Sequence, residues 1–153
     1  MESKYYVPDI KEFRVGFEYE YSGNKGKEWD TGIIENLYDF EDLIDDLRYD
    51  DIRVKYLDRQ DIEELGFTFS SKSVDDWYKK DTSLRLESGH WINSFRLQHD
   101  RNNTFQTAED HCYNIKIYAC IAGCDDDVLF EGIIKNKSEL KELLEKLGIS
   151  YNS

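Results

Sequence analysis

Between Trp77 and Thr107 the chain gathers side chains suited to holding a flat, phosphate-bearing ligand. Trp77, Tyr78 and Trp91 offer ring faces, and Arg85, Arg96 and Arg101 offer planar cations. The segment carries five Lys or Arg against three Asp or Glu, in a chain whose net charge is −13. Rings stack on bases, and guanidinium forks grip phosphate oxygens with paired hydrogen bonds. Trp77, Tyr78, Arg85, Trp91, Arg96 and Arg101 are therefore the candidate ligand-binding residues. The alternative is a core role, in which Trp91 and Phe95 share one strand face and Arg85 and Arg96 lie on the other. Strand alternation also sends Trp91 and Arg96 to opposite faces, so that one of them lines a given pocket.

Other chemistry finds less support. Cys120 and Cys124, with His111-Cys112, invite a zinc reading. If 113–121 is a strand, however, Cys112 and Cys120 stand roughly 26 Å apart and cannot share an ion. Cys124-Asp125-Asp126-Asp127 reads as a hairpin turn instead. His99-Asp100 has the types for an acid–base pair, yet neighbours on a loop carry little weight. His90, His99 and His111 have no Ser or Cys partner at nucleophile spacing. Asp45-Asp46 and Asp50-Asp51 lack the spacing of a calcium loop and read as a solvated helix face. Neither a phosphate-binding glycine loop nor a dinucleotide fingerprint is present. The expectation is a protein that is not an enzyme and uses no metal and no cofactor.

The elements that must carry the site follow from a pattern the chain uses twice. Gly32-Ile33-Ile34-Glu35-Asn36 leads into Asp39–Leu47, and Gly132-Ile133-Ile134-Lys135-Asn136 leads into Glu139–Leu147. Phe40, Leu43, Ile44 and Leu47 correspond to Leu140, Leu143, Leu144 and Leu147, one apolar stripe at helical spacing in each copy. Upstream, Phe13–Gly23 and Tyr113–Gly123 both alternate as half-buried strands. The unit is strand–turn–strand–helix, over 13–48 and again over 113–148. Asn136 with Glu139 reads as a capping box, and Gly148 as the residue just beyond the helix.

The inserted segment 52–107 adds further elements. Ile52–Tyr56 alternates as a strand. Asp58 caps a short helix from Arg59 to Leu65 that Gly66 stops, and Phe67-Thr68-Phe69 returns to extended chain. Ser83–Glu87 and Trp91–Gln98 read as a hairpin about Ser88-Gly89, with a polar loop from His99 to Asp110. The fold expected is α+β: one domain, 1–153, with an antiparallel sheet and two amphipathic helices on one face.

Arg53–Phe67 (RVKYLDRQDIEELGF) and Leu129–Lys141, running on to Leu147-Gly148-Ile149, resemble segments of small uncharacterised proteins of Bacteroidetes phages and prophages. That resemblance implies a phage origin and no particular chemistry.

Composition bounds the partners. At 153 residues the chain buries a real core without staples. The polar start and the lack of a long apolar run predict neither a signal peptide nor a membrane span. Three cysteines fit a reducing cytoplasm, and the phage resemblance implies that of a bacterial host cell. The charge of −13 disfavours general affinity for DNA or RNA. From Glu28 to Glu64 there are 14 Asp or Glu against 4 Lys or Arg. The sequence thus leaves two readings: a phage protein that sequesters a small nucleotide-like immune signal, or an acidic inhibitor that mimics nucleic acid and binds a basic host protein. A homo-oligomer is compatible with either.

Overall fold

The computed structural model describes residues 5–23, 26–36, 52–72, 76–100 and 114–150. The fold is α+β, and the chain packs into two compact units, Met1–Tyr56 and Leu57–Ser153. The expected insertion 52–107 is shared: among its described residues it gives one strand to the first unit and a helix and three strands to the second.

The first unit holds β1 (Tyr5–Tyr6), a 3-10 turn (Ile10–Glu12), β2 (Glu18–Tyr21), β3 (Asp30–Ile33) and β4 (Ile52–Lys55). They form an antiparallel sheet in the order β1-β4-β2-β3. Period two operates on β4, where Ile52 and Val54 are buried with Phe13, Phe17 and Ile34. Arg53, between them, points the other way. Its guanidinium lies 3.7 Å from the ring centre of Tyr5 and 4.1 Å from that of Trp29, and it meets Glu20 Oε1 at 3.1 Å.

The strand expected over Phe13–Gly23 is realised only at Glu18–Tyr21. Upstream the chain turns at Val15-Gly16, with Gly16 at φ 90°, a region glycine enters without strain. Phe13 and Phe17 are both buried, edge to face at 5.4 Å, whereas Val15 between them is 63% exposed. Apolar residues four apart satisfy a turn as well as a strand, so alternation alone does not separate the two.

The second unit runs α1 (Arg59–Glu64), β5 (Thr68–Lys72), β6 (Asp76–Arg85), β7 (Trp91–Asp100), β8 (Asn114–Ile121), β9 (Asp127–Ile133) and α2 (Lys137–Lys146). Its five strands form an antiparallel meander in sequence order. Both helices start and stop where their caps dictate. Asp58 accepts from the Asp61 amide while the Asp61 carboxylate accepts from the Asp58 amide, a reciprocal capping box. Asn136 accepts from the Glu139 amide, but Glu139 reaches back to the Lys135 amide at 2.7 Å. At the far ends the amides of Gly66 and Gly148 bond to Glu63 and Glu145, and those of Phe67 and Ile149 to Ile62 and Leu144. Each is a Schellman motif closed by a buried apolar residue.

One core joins helices and sheet. Ile62 and Leu65 from the α1 end, and Leu140 and Leu144 from α2, pack with Tyr78, Phe95, Leu97, Ile115, Ile117 and Ala119. The opposite sheet face carries polar and aromatic side chains, with the exposed aliphatics Val128 and Ile133 on β9.

Gly32 and Gly132 both lie on the second strand of a hairpin, but their registers differ. Gly32 faces Tyr19, whereas Gly132 faces Ile115; with matched registers it would face Ala119. The helix expected over 39–47, with Asp45, Asp46, Asp50 and Asp51, lies outside the described residues. Among the described residues no helix is long and apolar enough to cross a membrane.

Candidate ligand-binding face

The meander lines up side chains in rows across its non-core face, because residues opposite one another on neighbouring strands project to the same side. One row runs Thr68, Lys79, Arg96 and Tyr118 over β5 to β8. The next runs Trp77, Gln98, Lys116 and Glu131 over β6 to β9. Trp77 leans across the rows: its ring centre is 4.5 Å from the Arg96 guanidinium and 6.0 Å from the Tyr118 ring, tilted by 30°. The Tyr118 hydroxyl donates to Gln98 Oε1 at 3.2 Å. Lys79 meets Asp81 at 3.3 Å and Lys116 meets Glu131 at 3.5 Å, partly exposed pairs that contribute little and yield to a better anion. Arg96 makes no ion pair among the described residues. Beside Lys79 opens a cavity of about 330 Å³ lined by Gly66, Thr68, Ser70, Lys79, Lys80 and Asp81. Hydroxyls and ammonium groups of this kind suit phosphate oxygens.

Of the six candidate residues, Trp77 and Arg96 are in direct contact. Tyr78 is not part of the site: it is fully buried in the core, edge to face with Phe69 at 5.5 Å. Burial, with the nearby Asp76 charge second, pushes its hydroxyl up to about 12. That hydroxyl is buried without a hydrogen-bond partner among the described residues. Arg101 lies outside the described residues.

Trp91 and Arg85 correct the alternation argument. The pairing register shifts between Ile92 and Ser94 on β7, and between Asp81 and Leu84 on β6. Ile92 and Phe95, three apart, therefore both enter the core. An added residue in the strand restores the phase. Trp91 thus shares the non-core face with Arg96 rather than opposing it. It is 45% exposed and sits directly across from Arg85. The core reading of Trp91 fails for the same reason, while that of Phe95 holds.

Tyr118 and Lys116 carry no sequence signal for a site, because on β8 the apolar alternation of Ile115, Ile117 and Ala119 dominates. The cross-strand register that brings Tyr118 to Trp77 and sets Lys116 in the same row is not a local signal. His99 and Asp100, expected in a loop, belong to β7, and His99 is buried. Cys120 is half-buried on β8 and Cys124 exposed in the β8–β9 turn, both free thiols. Cys112 and His111 are outside the described residues. Among the described residues no group of three His, Cys, Asp or Glu is placed to hold a metal ion. Compared with protein-family models, curated proteins and solved structures, the chain matches none.

Proposed function

We propose that this protein captures a small phosphate-bearing, nucleotide-like ligand on the non-core face of its five-stranded sheet, without catalysing a reaction. The observation that carries the reading is the Trp77–Arg96 stack, an arginine held on a ring with no carboxylate among the described residues. A base lies against Trp77 and the Arg96 plane, and phosphate oxygens reach Arg96, Lys79 and the hydroxyl of Thr68. The overall negative charge is tolerable because charges beyond the ~8 Å screening length count for little beside direct contacts.

The resemblance of residues 53–67 and 129–149 to phage proteins suggests the setting: sequestration of a nucleotide signal of host defence, in the host cytoplasm. The same reading keeps 13–48 and 113–148 as diverged copies of one unit, supported by the shared Gly-Ile-Ile and Asn positions and by the hairpin placement of both glycines.

A thermal-shift panel of linear and cyclic nucleotides tests the function. A ligand at a hundred times its Kd adds about 2.7 kcal/mol of stability. If no nucleotide raises the melting temperature, the capture reading is wrong, and an acidic inhibitor of a basic protein takes its place.

A further inference from the structure

Among the described residues the non-core face sets a Trp beside an Arg at two places, in ring contact at the first and as cross-strand neighbours at the second. Trp77 and Arg96 form one station. Trp91 and Arg85, directly opposed across β6 and β7, form another near the hairpin end. Arg85 also makes no ion pair among the described residues. The two register shifts put both stations on one side of the sheet. Trp91 and Arg96 are five residues apart on β7, roughly 16 Å at the usual rise per residue. The row between them is Asp81, Ser94 and Cys120. At β7 and β8, across the middle of the sheet, it holds only short side chains, with Ser94 buried and the exposed Asp81 carboxylate at its β6 end.

Resting on the nucleotide-capture reading, we propose that the ligand is a short single-stranded oligonucleotide, with one base at each tryptophan and the intervening phosphates over the row between them. A single nucleotide is too small to reach both stations. Successive bases of a single strand stack on successive aromatic platforms irrespective of sequence, while cations track the backbone. The charge matches: these rows present Lys79, Arg85, Arg96 and Lys116 against Asp81 and Glu131, an excess of cations in a chain of net charge −13. Long duplexes are opposed by the rest of that charge.

The test compares thymidine monophosphate with hexathymidylate on the whole chain, by titration against wild type, Trp91→Ala, Trp91→Phe, Arg85→Ala and Trp77→Ala. Trp91 and Arg85 are exposed, so their variants fold, and circular dichroism checks this. Trp91→Ala and Arg85→Ala should weaken hexathymidylate at least roughly fivefold, the lower end of what one stacked base contributes. They should leave thymidine monophosphate unchanged, and Trp91→Phe should restore most of the loss. Trp77→Ala should weaken both probes. If Trp91→Ala and Arg85→Ala bind hexathymidylate like wild type while Trp77→Ala does not, the second station is refuted and capture of a mononucleotide stands. If neither probe binds wild type, the oligonucleotide proposal fails outright, and the nucleotide panel then decides the capture reading separately.

Discussion

The Arg96 guanidinium stands 4.5 Å from the centre of the Trp77 ring, on the strand next to it, with no carboxylate partner among the described residues. A ring fixes the plane of the cation without neutralising it, which leaves its hydrogen-bond donors for an incoming anion. In the free protein the stack itself is worth little. Arg96→Ala and Arg96→Lys should therefore shift the melting temperature by only a few degrees, about 0.5–1 kcal/mol. A loss several times larger, measured by thermal unfolding, would mean that Arg96 is structural.

Tyr78 makes a prediction of the opposite kind. Its hydroxyl is buried without a partner among the described residues, so Tyr78→Phe should be neutral or stabilising, whereas Tyr78→Ala should cost about 3–5 kcal/mol.

The same residue sets a pH dependence. The folded protein holds the hydroxyl protonated up to about 12, against 10.0 for the free side chain. Between those values the native state binds more protons than the unfolded one. Stability therefore falls as pH rises from 10 towards 12, by about 1.4 kcal/mol per unit at most. Denaturant unfolding across that window should show the decline in wild type and a flatter profile in Tyr78→Phe.

In the first unit, Arg53 is held between Tyr5 and Trp29 and paired with Glu20. Lysine keeps the charge but loses the plane. Arg53→Lys should cost about 1–2 kcal/mol in urea unfolding, and an unchanged midpoint would contradict the sandwich. In the second unit, Leu140 and Leu144 are fully buried, and Leu144→Ala should cost about 2–5 kcal/mol.

What the sequence made legible is what local chemistry encodes. Asp58, Gly66, Asn136 and Gly148 announce the ends of both described helices because caps and left-handed glycines act within a few residues. Ser88-Gly89 announces the β6–β7 hairpin in the same way. The register shifts at 92–94 and 81–84 have no such signature, so the sequence put Trp91 on the wrong side of the sheet. Tyr118 was invisible for a related reason, since it meets Trp77 only through pairing across β7. Trp77 and Arg96 were legible as types, but their contact was not.

The most direct measurement is calorimetric titration of the panel's strongest nucleotide into wild type, Trp77→Ala and Arg96→Ala. The stacking site predicts that each substitution weakens binding by at least roughly tenfold while the melting temperature of the free protein moves by only a few degrees. Undiminished binding in both variants, or a Trp77→Ala protein that no longer folds, would show that this stack belongs to the scaffold and not to a ligand site.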